Sequence, residues 1–94
     1  MTRYTVVWDD DVERTFFDAW FASDSETRAV LTDVANWIDT HLAENPEFKG
    51  DYDPGLAARI IDVPLHTAAN ISATFKVLSD DMQVRVTRLT FRRK

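Results

Sequence analysis

The stretch "NPEFKGDYDPG", residues 45–55, holds both glycines of this 94-residue chain and two of its three prolines. Glycine and proline are the strongest local interrupters of regular structure, so this segment is a loop that divides the chain. Before it, apolar residues recur mainly at helical spacing; after it, they alternate. The switch in period requires a helical layer to pack against a sheet.

The first half opens with "RYTVVW", residues 3–8, whose β-branched and aromatic types predict a first strand ending at "DDD". Asp9 or Asp10 can cap the helix that follows, because a carboxylate accepts from the free amides of a first turn. Val12, Phe16, Ala19 and Trp20 then place a helix over about residues 10–22. Ser23, Asp24 and Ser25 interrupt it, and Asp24 or Ser25 starts a second helix. Its apolar stripe, Leu31, Val34, Ala35, Ile38 and Leu42, is the clearest pattern in the chain. Pro46 disfavours the α conformation in the residue before it, so this helix is expected to end near Glu44 or Asn45. A short connection makes the two helices an antiparallel hairpin.

After the loop, residues 57–63 read as a strand and 64–70 as a connection. Residues 71–78 form a strand with Ile71, Ala73, Phe75 and Val77 inward, and residues 82–92 a last strand beyond the turn at Ser79, Asp80 and Asp81. The order is β-α-α-β-β-β. It predicts an α+β fold, one domain over residues 1–94, with a helical hairpin packed on one face of an antiparallel sheet. A hydrophobic share of 45% supports a core, and the absence of cysteine excludes disulfides and thiolate zinc sites. No apolar run is long enough to span a membrane, and no signal-like segment follows Met1, so a cytoplasmic protein is expected. No metal or cofactor motif is present: "DDD" diverges at a helix start and suits capping better than cation binding.

Charge is distributed unevenly. Residues 1–58 carry four Lys or Arg against thirteen Asp or Glu, for −9, whereas residues 59–94 carry seven against three, for +4. An acidic chain is a poor general binder of nucleic acid, yet a basic face acts locally within a Debye length of about 10 Å. On the last two strands Ser72, Thr74 and Lys76 point outward with Gln83, Arg85 and Thr87. Arg88 falls on the inward parity of Val84 and Val86, so either burial ends there or a bulge shifts the register. Such a cluster of cations can stabilise a phosphorane-like transition state, hold a nucleic-acid backbone, keep a terminal strand soluble, or dock an acidic segment of a partner as an added strand. The last of these would engage Arg85 and Arg88.

His66 lies in a connection, where an imidazole can act as general acid or base, but no partner for it is identifiable and it reads as a surface residue. His41 flanks the core face of the second helix. Trp20 and Trp37 read as packing between the helices. Phe17 and Phe21 lie beside the main stripe, where a partner's apolar helix can dock.

Taken together, "YTVVW", "ANWIDTHLAENPEFKG", Arg59 within "AARIIDVP", and "ATFKVLSDDMQVRV" resemble, in order and spacing, the RelE/ParE superfamily of bacterial type II toxins. The resemblance runs through nearly the whole chain. It implies a toxin of a toxin–antitoxin, or plasmid stabilisation, system that binds a cognate antitoxin protein and needs no cofactor. The ParE-like branch, which acts on DNA gyrase, is the preferred reading. The alternative is a RelE-like endoribonuclease that cuts mRNA on the ribosome, with Arg59, Lys76 and Arg92 as its catalytic residues. The nuclease branch usually has an aromatic residue and Arg where this chain has Ile71 and Ser72, and a tyrosine past the last strand where this chain stops at Lys94. A third reading is a non-toxic member kept as an interaction module, its acidic helical half recruiting a basic partner.

Overall fold

The computed structural model describes residues 3–65 and 69–93. Strand β1 (Thr5–Trp8) leads into helices α1 (Asp10–Ala22) and α2 (Ser25–His41). Strands β2 (Asp51–Asp53), β3 (Ala58–Asp62), β4 (Ala69–Leu78) and β5 (Gln83–Arg93) follow. The predicted α+β class and helical pair are present, and α1 has the expected bounds. Single 3-10 turns occupy Pro46–Phe48 and Ser79–Asp81.

The helix termini show how local chemistry sets each boundary. At α2 the Asp24 carboxylate accepts from the Thr27 amide at 2.8 Å, satisfying one of the four free donors of a first turn. At α1 Asp9 occupies the capping position but makes no cap hydrogen bond; its carboxylate pairs instead with Arg85 of β5. Asp10, Asp11 and Glu13 still place negative charge at the positive end of that helix. Helix α2 ends at His41, short of the expected Glu44 or Asn45: the Glu44 backbone pairs with that of Arg3 as an isolated antiparallel β-bridge, and the Lys49 ammonium binds the His41 carbonyl. Asn45 then takes a left-handed conformation (φ 48°) before Pro46.

The sheet has the order β1-β5-β4-β3-β2. Strands β2 to β5 form the expected antiparallel run, but β1 lies parallel to β5, so the sheet is mixed. Two helices intervene between β1 and the meander and carry the chain back across the sheet, which permits a parallel pairing that a hairpin cannot make. The loop also contains a strand that sequence reading missed: Asp51–Asp53 pairs with β3. It is short and two-thirds aspartate, and its geometry comes from its ends. Gly50 has φ 69°, and the Ile60 carbonyl oxygen occupies the space where a Cβ would stand. The Asp53 carboxylate accepts from the Gly55 amide at 2.8 Å to turn the chain.

The core lies between α2 and one face of the sheet. Val34, Ile38 and Leu42 meet Ile71, Ala73, Phe75, Val84 and Val86, all nearly or fully inaccessible to solvent. Burying each large apolar side chain contributes about 1.5–3 kcal/mol. Helix α1 has no buried residue and rides outside, contributing Val12 at the margin of the core.

Candidate functional site

The face of the sheet turned away from the helices is shaped by one extra residue in β5. Thr74 of β4 pairs with Arg88, whereas its neighbour Phe75 pairs with Val86, leaving Thr87 unmatched. This bulge reverses side-chain parity along the rest of β5. Leu89 and Phe91 stand opposite Ala73 and Ile71 and take the helix-side face, while Arg88 and Arg92 stand opposite Thr74 and Asn70 on the outer face. Arg85, opposite Lys76, is on the outer face as well. The bulge alternative is therefore the one realised, and Arg85, Arg88 and Arg92 share a surface.

Between β3, β4 and β5 that surface forms an open groove of about 690 Å³. Asp62, Asn70, Ser72, Thr74, Arg88 and Arg92 line it, and the apolar side chain of Ile60 contributes to its wall. Thr74 is buried in its floor at 8% exposure, while Arg88 and Arg92 are exposed. Four residues apart on a strand, the two arginines are spaced by about 13 Å, so they can address different anionic groups of one extended ligand.

Arg59 lies elsewhere. It pairs with Phe75 across β3 and β4 and so belongs to the helix-side face. Its guanidinium donates to the carbonyls of Lys49 (2.7 Å) and Gly50 (3.0 Å), anchoring the loop that enters β2. Lys76 and Arg92 do share the outer face, but their partners Arg85 and Asn70 lie toward opposite ends of the β4–β5 ladder. Six residues along β4 separate Lys76 from Asn70, about 20 Å. The structure thus brings Arg88 and Arg92 to one groove and does not bring Arg59, Lys76 and Arg92 together.

Arg85 is engaged by Asp9, and this hydrogen-bonded carboxylate raises its pKa further above the ordinary range. His41 stacks on Trp37 with ring centroids 4.2 Å apart. Burial lowers its pKa below the ordinary imidazole value, the Lys49 cation acts in the same direction, and Glu44 opposes them. His66 lies outside the described residues. Among the described residues no three His, Asp or Glu side chains converge on a cation site, and no helix is long and apolar enough to cross a membrane.

The second surface is aromatic. Trp8, Phe16, Phe17 and Phe21 form a chain of neighbouring rings with centroids 5.4, 6.1 and 6.5 Å apart. Phe17 and Phe21 are 49% and 67% exposed. Trp20 is held by Arg28, whose guanidinium lies 4.7 Å from the ring centroid and donates to the Trp20 and Phe21 carbonyls at the end of α1. Trp37 packs against the core and Trp20 bonds Thr32, so both serve the helical layer.

A helical pair on one face of a mixed five-stranded sheet, with an open basic groove on the other, defines a small α+β class. No family model matches the sequence, and no curated protein matches it. Among solved structures, a mutant of the E. coli toxin RelE in the free state matches with a TM-score of 0.62 at 14% identity, over 93% of this chain and 81% of that one. The chain has the RelE-like toxin fold.

Proposed function

We propose that this protein is the toxin component of a type II toxin–antitoxin pair, cytoplasmic and neutralised by a cognate antitoxin, and that it acts by binding its target rather than by cutting RNA. One observation carries the second part: Arg59 faces away from the groove, and Lys76 stands about 20 Å along the ladder from Arg92. Stabilising one phosphorane requires donors that converge within hydrogen-bonding distance of the same oxygens. These three do not. A ParE-like action on DNA gyrase is the form of this reading that the sequence resemblance favours.

The endoribonuclease remains the second reading because Arg88 and Arg92 flank a groove lined with hydroxyl and amide side chains, suited to a sugar–phosphate backbone. Inducible expression in a bacterial host separates the two. Growth arrest with intact mRNA and an induced DNA-damage response supports the gyrase-directed toxin. Cleavage of mRNA that disappears in Arg92→Ala establishes the nuclease instead. Absence of any growth effect would leave an interaction module of the same fold.

A further inference from the structure

Strand β1 is an edge of the sheet, and its free side opens on a groove of about 440 Å³ between the strand and the two helices. The amides of Thr5 and Asp9 donate to the carbonyls of Met82 and Val86, toward β5, while that of Tyr4 donates the other way, to Ala43. Backbone groups of a strand point alternately to its two sides. Val6 and Trp8 therefore turn their amides and carbonyls away from β5 and toward the groove. Among the described residues these groups have no backbone partner. An unpaired edge is a template for another strand.

The walls specify what that strand carries. Phe16 and Phe17 supply apolar surface, and Phe17 is 49% exposed. Every charged residue lining the groove is acidic: Asp10, Glu13 and Asp39. Asp39 also accepts from the Trp8 indole at 2.8 Å, which fixes one wall. A second copy of β1 would set three carboxylates against three across a two-fold axis, with no cation between them. A segment that mixes apolar side chains with lysine or arginine satisfies both features, its aliphatic stems lying on the aromatic wall and its charged ends reaching the acidic rim.

We infer that the β1 edge is a docking site for a basic, extended segment of another polypeptide, which adds to the sheet beside Val6 and Trp8. The inference does not depend on toxic activity, and the basic groove on the outer face plays no part in it. Main-chain hydrogen bonds give such a complex its register, and the acidic rim selects its sign of charge.

A short synthetic peptide of alternating valine and lysine is the probe, with its valine–glutamate counterpart as control. The expected result is saturable, salt-sensitive binding of the lysine peptide alone, with slowed hydrogen exchange at the Val6 and Trp8 amides. Glu13→Lys on the rim weakens binding by about tenfold, since it replaces one attraction by a repulsion. Phe17→Ser weakens it without altering the net charge, and the circular dichroism of each variant verifies its folding. Equal binding of the glutamate peptide overturns the inference, as does binding indifferent to both substitutions. So does binding that leaves the two amides unprotected, the signature of a helix seated on the aromatic run. Protection of the same amides by self-association, without peptide, overturns it in favour of a second copy.

Discussion

Arg88 of β5 stands directly across from Thr74 of β4, although the next pair along the same ladder, Phe75 with Val86, faces the helices. Because Thr87 between them is left unmatched, the C-terminal cations lie on the outer face.

Deleting Thr87 removes the bulge but leaves every other pair in register: Arg88 then follows Val86 directly, still opposite Thr74, so Arg88 and Arg92 keep the outer face and Leu89 and Phe91 the helix-side face. No charge is buried by this change, so the deletion is expected to keep the fold and the groove and to alter unfolding free energy by no more than about 2 kcal/mol. Thr87→Ser keeps the extra residue and is expected to remain within about 1 kcal/mol of the parent. Urea denaturation of the two variants makes the comparison.

Phe75 is fully buried at the centre of the core, and Phe75→Ala leaves a cavity that the surrounding strands cannot close. A loss of about 3–5 kcal/mol is expected in the same denaturation experiment.

Gly50 combines φ 69° with a backbone carbonyl in the space of a Cβ. Gly50→Ala must move the chain between the loop and β3, and more than about 1 kcal/mol of destabilisation is expected. Hydrogen exchange at the β2–β3 pair should accelerate before exchange in β4 and β5 does.

Arg59 and Arg92 are expected to separate cleanly by readout. Arg59→Ala removes two charge-assisted bonds to Lys49 and Gly50 and should cost about 2 kcal/mol. Arg92→Ala alters an exposed side chain and should change stability by no more than about 0.5 kcal/mol, while reducing growth arrest that depends on the groove. Loss of arrest in a fully folded Arg59→Ala protein, with Arg92→Ala still toxic, would reverse these roles.

The His41 imidazole is held below its ordinary value of 6.5 in the folded chain. The unfolded chain therefore binds its proton first, and stability rises with pH in the interval between the folded and unfolded values. This contribution is fully present above about pH 6.5 and is lost as pH falls through the folded value. His41→Gln is expected to flatten that part of a plot of urea midpoint against pH; an unchanged slope would assign it to other groups.

Much of the candidate surface was visible in the sequence as a broken pattern. The parity conflict at Arg88 signalled either a bulge or the end of burial, and only cross-strand pairing distinguished them. Arg59 illustrates the opposite case: its place on a strand was legible, but its hydrogen bonds go to carbonyls ten and nine residues earlier, which follow no local rule. The groove at β1 had no signature at all beyond Phe17, because its walls come from a strand and two helices.

By itself the sequence determined what depends on near neighbours: the α1 boundaries, the α2 stripe, the inward set of β4, the turn at Ser79, Asp80 and Asp81, and the uneven charge. Hydrophobic period, capping and turn chemistry act over a few residues and can be read there. Tertiary structure alone decided the parallel seat of β1 against β5, the three-residue β2, the capture of Asp9 by Arg85, and the assembly of Arg88 with Arg92 across from Asn70 and Thr74. Each is a pairing between distant segments, selected by which arrangement buries Phe75, Val84 and Val86 while satisfying the backbone around them.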